Sequence, residues 1–387
     1  MSSAMNYQLG DNGERRSCVK EARRVVLKVG SNLVREQPAV RTAALIEQIA
    51  RLRKAGKEVI LVTSGAIPLG MGVIGRKNRP KELSKRQALA AIGQCHLIRH
   101  YEDACEKHGF HCAQLLLTNA DLHDRQRNVH VANCLRALLE DDVLPIINEN
   151  DSVTVEQIRI GDNDTLAAYV ASMLNADLAV LLTTVDGFHL TRGDGVLGDR
   201  VSVVRNVDRQ LLAMAGSTDG NQFSTGGMIT KLHAASICLS SGLSMAIIDG
   251  HDFGRLGEFF AGADVGTLFV RPGLAHPMHA WQRFLAFFSE PAGDLIIDDG
   301  AAEAITRRHK SLLPGGMLGI SGTFQKGDTV RLLNSARTEL ARGVVNFSYD
   351  QAARICGARS SDLPGILGYA VETPEVVHKD YLVLLDG

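Results

Sequence analysis

Between residue 23 and about residue 270, short apolar runs rich in β-branched residues alternate with longer stretches of helical periodicity. The runs fall at 23–29, 58–63, 111–118, 143–148, 178–184 and 244–249. They are continuously apolar rather than alternating, the pattern of strands buried on both faces, and so predict a parallel sheet covered by helices. Between them, residues 41–55 place Ala44, Leu45, Ile49 and Leu52 on one helical face and stop at Gly56. Residues 162–174 open with Asp-Asn-Asp and continue as a second helix. Regular strand–helix alternation defines an α/β domain, an open, mostly parallel sheet sandwiched by helices.

From about residue 290 the pattern changes. Strand-like pieces at 294–298, 316–320, 328–333, 342–347, 366–371 and 381–385 are separated by Gly, Asp, Asn and Pro turns, predicting a small β-rich barrel. The expected organisation is a disordered lead-in over 1–22, an α/β domain over 23–270, a connector over 271–289 holding the sole tryptophan, Trp281, and a β-rich domain over 290–387. Two domains suit 387 residues, more than one core usually serves. Asp11, Glu14 and Glu21 in the lead-in argue against a transit peptide, and it has no apolar signal core. No apolar stretch approaches the ~20 residues that span a bilayer.

Composition narrows the class. With 45% hydrophobic residues, 22% charged and a formal net charge of −1, the chain has no general attraction for nucleic acid or anionic membrane. Seven scattered cysteines without a Cys-x-x-Cys pair read as free thiols of a reducing cytoplasm.

Candidate chemistry gathers where the predicted strands end. Gly30-Ser31, Ser64-Gly65, Asn148 to Asp151, Thr183-Thr184 and Asp249-Gly250 each follow a different strand. Open α/β sheets bind ligands beyond the carboxyl ends of their strands, so these residues mark the active edge. There is no G-x-x-x-x-G-K-[ST] and no G-x-G-x-x-G after the first strand, which sets aside P-loop and dinucleotide folds. Instead, Ser224 to His233 places Thr225, Gly226 and Gly227 before a helix-like run of Met228, Ile229, Thr230 and Lys231. Bare amides, a helix N-terminus and an ammonium group there would hold a phosphate. A lone Gly-Gly pair also suits a plain surface turn.

Lys28 lies late in the first strand, where burial requires an anionic partner unless the strand is an edge and the lysine reaches solvent. If it faces the active edge, Lys28 and Lys231 clamp one phosphate from two elements. Asp164, at the second predicted helix start, is the carboxylate to position that pair, while Asp162 suits a helix cap. Asp151 could accept an α-amino group, and Ser64, Asn148 and Asn163 the polar ends of a small zwitterion. His233 and His251 lie near these loops without an evident partner, and neither they nor the cysteines are assigned chemistry.

The segments KVGSN at 28–32, TSGAI at 63–67, NENDSV at 148–153, GDNDTLAA at 161–168 and STGGMITKLHAA at 224–235 together resemble the glutamate 5-kinases of the amino-acid kinase superfamily. The resemblance runs from about residue 23 to the end, because bacterial members also carry a C-terminal PUA domain. It implies the amino-acid kinase fold, a PUA-type barrel, and ATP-dependent phosphorylation of the γ-carboxylate of glutamate, the first step of proline synthesis. It implies that Lys28 and Lys231 stabilise the transferring phosphoryl group and Asp164 orients them, and that Ser64, Asp151 and Asn163 bind glutamate with Asn148 adjacent. Nucleotide contacts would come from Gly30, Ser31, Thr183, Thr184 and the loop Thr225 to Lys231. Mg²⁺ would be carried mainly on the ATP phosphates, with no dedicated protein metal site.

Further implications are inhibition by proline, homo-oligomerisation and a partnership with glutamyl-phosphate reductase. Two departures stand out: Thr184 occupies a position where many relatives have aspartate, and Pro68-Leu69 replaces the small residues that commonly follow SGAI. The alternatives are a kinase of another small acid and, from a different class, an RNA-binding protein using the PUA-like domain. Residues 290–387 hold 10 Lys+Arg against 13 Asp+Glu, a net of −3, which disfavours RNA.

Overall fold

A computed structural model describes residues 7–8, 13–154, 163–191, 197–207, 211, 227–270, 282, 285–286 and 289–385. The chain divides into two compact units, one spanning Met1–Leu122 with Gln126–Pro277, the other Met278–Gly387 with His123–Arg125. The second unit thus starts inside the expected connector. There Leu285 and Ala286 are buried against Val383, and Arg342 donates to the Ala286 carbonyl at 2.9 Å. Trp281 and most of that connector lie outside the described residues.

All six apolar runs form strands: β2 (Arg24–Val29), β3 (Glu58–Val62), β4 (Cys112–Leu117), β5 (Leu144–Glu149), β6 (Leu178–Thr183) and β10 (Ser244–Asp249). They pair in parallel in the order β10-β6-β2-β3-β5-β4. Beyond β10 the sheet continues through β11 (Thr267–Phe269, antiparallel to β10), β9 (Val203–Val204) and β1 (Tyr7–Gln8). A separate hairpin of β7 (His189–Thr191) and β8 (Leu197–Arg200) carried no sequence signal. Val25, Leu27 and Val29 of β2 face a core shared with Leu45, Ile46 and Ile49 of α3 (Pro38–Lys54) and with Leu97 and Tyr101 of α5 (Leu83–Glu106). The opposite face is covered by α8 (Asn163–Met173) and α9 (Met228–Ser240), nearly all of whose apolar side chains are buried. Period 2 therefore sends Lys28 toward the α8 side, away from the core of Leu27 and Val29. The exception to burial on both faces is β4: as the sheet edge it is half-buried, and Gln114 is exposed.

Two expectations are corrected. The lead-in is not disordered throughout: α1 (Gly13–Glu21) is helical, Val19 and Ala22 are buried in the main core, and the Cys18 thiol donates to Ser244 Oγ at 3.0 Å. The apolar residues that dock it, Cys18, Val19 and Ala22, cluster at the helix's C-terminal end, which composition averaged over 22 residues conceals. In the second unit β12 (Gly293–Ile297), β13 (Met317–Gly322), β14 (Thr329–Leu333), β15 (Glu339–Val345) and β16 (Val377–Leu384) form a sheet ordered β13-β12-β14-β15-β16 around their own core. The expected strand at 366–371 is absent. Leu363–Leu367 is a short helix with proline in its first turn, ended by Gly368 at φ 84°, and Leu363 and Leu367 point into the core.

Helix α4 (Ala66–Val73) crosses α5 at backbone contact, since a Cβ on Gly70 would overlap the Leu89 carbonyl and one on Gly93 the Ala66 carbonyl. Neither carbonyl is a flexible side chain that can swing aside. Gly93→Ala is therefore expected to destabilise the first unit by about 1–3 kcal/mol through overpacking. An unfolding midpoint equal to wild type in chemical denaturation would show that the crossing relaxes freely.

Candidate active site

The parallel sheet reverses its winding at β2, with β3 on one side and β6 on the other, and such a switch point opens a crevice at the strand ends. Here the Gly30 amide donates to the Leu182 carbonyl at 3.1 Å and the Gly250 amide to the Thr183 carbonyl at 2.8 Å, tying together the loops after β2, β6 and β10. Arg41 of α3 fastens the same edge, donating to the carbonyls of Leu33, Gly250 and His251 at 2.7–2.8 Å and stacking over Phe253 at 4.3 Å. Sequence inspection missed Arg41, because its three acceptors are backbone groups that leave no trace in the sequence.

Lys28, Asp164 and Lys231 meet at the floor of this crevice. Lys28 Nζ lies 2.5 Å from Asp164 Oδ1 and Lys231 Nζ 3.0 Å from Asp164 Oδ2. Lys28 is 6% exposed, Lys231 4% and Asp164 0%. One carboxylate bridges two ammonium groups, so the trio keeps a net positive charge inside the protein. Such charge excess in a desolvated place calls for an anion. The alternative of an edge strand with Lys28 in solvent is thereby set aside.

Above this floor opens a cleft of about 690 Å³ lined by Lys28, Gly30, Ser31, Ser64, Thr183, Thr184 and Lys231 among others. Gly227 caps α9 without any side-chain hydrogen bond to its first turn, while the Thr230 hydroxyl turns back to the Gly227 carbonyl at 2.8 Å. Among the described residues no side chain caps the first turn of this 13-residue helix, and Lys231 follows in the next turn. Thr225, Gly226, Gly161 and Asp162 lie outside the described residues. Pro68 also lines the cleft, in the first turn of α4, where a missing N–H removes no helical bond.

Asn148 and Asn163 sit beneath the cleft rather than in its wall. Asn163 Nδ2 donates to the Thr63 carbonyl at 2.6 Å and to Asn148 Oδ1 at 3.1 Å, and Asn148 Nδ2 donates to Gln94 Oε1 at 2.9 Å. Thr63 Oγ1 bonds the buried Tyr101 hydroxyl at 2.8 Å, and burial pushes that phenol's pKa up, keeping it neutral. This chain ties the start of α8 to the ends of β3 and β5, and so fixes where the neighbouring Asp164 points. Both Asn163 N–H donors are used by the protein, so a ligand could reach only its remaining oxygen. Gln94 was missed, lying mid-helix without a motif.

Asp151 is not brought to the Lys28 cleft. With Gln94, Glu149, Asn150 and Ser152 it lines a second cavity of about 260 Å³ between α5 and the ends of β4 and β5. Beside Gly250 on the crevice edge, His251 does have a partner: its ring nitrogen lies 2.6 Å from Asp249 Oδ1. Burial pushes the Asp249 carboxyl up, but hydrogen bonds from His251 and the nearby Arg255 charge hold it below the usual carboxylate range. Among the described residues no cluster of three or more His, Cys, Asp or Glu could hold a metal.

Two lysines held by one buried carboxylate at a switch-point crevice make a place suited to an anion such as a phosphate. The amino acid kinase family profile matches residues 23–249 and the PUA domain profile residues 293–367. The chain belongs to the amino acid kinase family. It is 42% identical to the glutamate 5-kinase of Caldanaerobacter subterraneus subsp. tengcongensis over 369 residues, covering 94% of this chain and 98% of that protein. It is also 39% identical to the glutamate 5-kinase of Moorella thermoacetica (96% and 99% covered) and 42% to that of Aromatoleum aromaticum (95% and 100%).

Removing the bridging charge tests the floor directly. Asp164→Asn keeps the shape but leaves two buried ammonium groups facing each other, with an expected stability loss of about 3–5 kcal/mol. Calorimetric unfolding at neutral pH should show it as a clear drop in midpoint, and an unchanged transition would mean that the lysines are not held by this carboxylate.

Proposed function

We propose that the chain is a glutamate 5-kinase, transferring the γ-phosphoryl group of ATP to the γ-carboxylate of L-glutamate. The observation that carries the reading is the convergence of Lys28 and Lys231 on Asp164 at the cleft floor. The relatives named glutamate 5-kinase support the acceptor, matching nearly the whole chain.

The chemistry suits such a site. A carboxylate with an unperturbed pKa of about 4.3 is already ionised at neutral pH, so its oxygen attacks the γ-phosphorus without a general base. The new O–P bond forms as the bond from phosphorus to the bridging oxygen of ADP breaks. The protein's work is to align two anions and to balance the charge on the transferring group. Lys28 and Lys231 meet that charge, Asp164 keeps them apart and oriented, and the N-terminus of α9 adds its dipole beside Lys231. Gly30, Ser31, Thr183 and Thr184 offer small polar walls to the nucleotide. Mg²⁺ neutralises phosphate charge when bound. That ion would be held mainly by the ATP phosphates and water.

Glutamate would lie on the Ser64 side. Asp151 would reach its α-amino group only across the start of α4, whose Ala66 lines the second cavity while Ser64 and Pro68 line the first. The product is an acyl phosphate, readily hydrolysed, so hand-over to glutamyl-phosphate reductase, feedback by proline and assembly into a homo-oligomer belong to the same reading. Seven free thiols fit a reducing cytoplasm, and among the described residues no helix is long and apolar enough to cross a membrane.

ATP consumption with a panel of small acids tests the acceptor, and glutamate is expected to be strongly preferred. Equal or better turnover with another acid would replace it. Lys231→Ala is expected to lower turnover by two or more orders of magnitude, on the order of the loss of one oxyanion-stabilising donor, while the protein stays folded. Near-normal rates would take this lysine out of the mechanism.

A further inference from the structure

Among the described residues six cationic side chains line the large cleft, and none of the lining residues is acidic. Lys28 and Lys231 are accounted for by Asp164 below them. The other four are Arg35, at the end of α2 (Ser31–Arg35), and Arg76, Lys77 and Arg79, on the connection between α4 and α5. All four are exposed, and none forms an ion pair among the described residues. The nearest carboxylate with a recorded influence, Glu82 beside Arg76, is already bonded to Lys85 and Ser84.

The basic segment leaves α4 from a fixed point. The Arg76 amide donates to the Met71 carbonyl at 2.8 Å and the Gly75 amide to the Gly72 carbonyl at 3.2 Å, with Gly75 at φ 69°. That is a Schellman ending, which only a residue free to take positive φ supports at low cost. From that ending Arg76, Lys77 and Arg79 line the same cleft as Arg35. Like charges gathered without partners cost stability through mutual repulsion, and a buried positive floor below them adds to the same field. Nothing in the fold requires four cations here, but an anionic ligand does.

We propose that Arg35, Arg76, Lys77 and Arg79 form a capture rim whose field draws the triphosphate of the nucleotide into the cleft before it reaches the two lysines. The nucleotide is the favoured ligand because steering scales with ligand charge: a triphosphate carries several negative charges, whereas glutamate carries one net. The inference rests on the kinase reading only in taking a nucleoside triphosphate as donor. Fields of this kind raise association rates roughly 10- to 1,000-fold and fade as salt shortens their reach, about 8 Å at physiological ionic strength.

The test uses the full-length protein and a fluorescent N-methylanthraniloyl ATP with Mg²⁺, followed by stopped-flow. Arg35→Gln combined with Arg76→Gln, Lys77→Gln and Arg79→Gln is expected to slow association at least tenfold at low ionic strength and to flatten its salt dependence. Lys20→Gln combined with Lys54→Gln, Arg99→Gln and Lys107→Gln, all exposed and outside the cleft, serves as the charge-matched control and should leave both unchanged. Association as fast as wild type at low salt would overturn the rim. So would a slowing of the same size at every salt concentration, which would indicate direct contact in place of a field. A wild-type protein that binds the nucleotide yet does not phosphorylate glutamate would count against the functional reading alone.

Discussion

One buried carboxylate holding two ammonium groups is the constraint on which the site depends. Lys28 comes from the first strand of the main sheet, Asp164 from the start of α8 and Lys231 from the second turn of α9. None of the three would be tolerable alone in so dry a place. Together they are tolerable, and they leave a positive charge in excess. Protein stability and affinity for phosphate are thus opposed at this point: a second carboxylate would steady the fold and weaken the site. The arrangement persists because the elements around it are over-determined.

That over-determination is visible in the layers beneath. The buried chain from Tyr101 through Thr63, and from Gln94 through Asn148 to Asn163, joins α5, β3, β5 and α8 by hydrogen bonds whose members are all largely shielded from water. Such a network has few alternative arrangements, since shifting one amide orphans the next. Its effect is to set the first turn of α8, and so the direction of Asp164, against the strand that carries Lys28. The glycine-mediated crossing of α4 and α5 serves the same end from the other side of β3, holding α4 so close that Ser64 and Pro68 form one cleft wall. Arg41 closes the far edge through backbone carbonyls alone.

Much of the architecture was legible in the sequence because strands buried on both faces must be apolar throughout, and the six runs matched their strands to within a residue or two at each end. The polar residues at their carboxyl ends marked the crevice for the same reason: a covered sheet leaves them only its edge. Readings failed where a few apolar contacts decided the outcome. Val19 and Ala22 dock a lead-in that looks polar on average. Leu363 and Leu367 turn an apolar stretch into a helix because Pro364 and Gly368 bracket it. For Asn148 and Asn163 the residue type shows polar capacity but not that both Asn163 donors and one of Asn148 go to protein acceptors, a fact that depends on which groups lie within hydrogen-bond reach.

The sequence by itself determined the order of strands and helices, the division into two kinds of domain and the residue types available for phosphate chemistry. Periodicity and composition are local properties, and these conclusions are local or additive. Who meets whom is settled by the tertiary structure: that Lys28 and Lys231 share the Asp164 carboxylate, that Asp151 lines another cavity, and that Arg35 and the Arg76 segment line one cleft. Those distances follow from the winding of the chain about β2, where the sheet reverses direction. No run of neighbouring residues encodes that reversal, because it exists only once distant strands have paired.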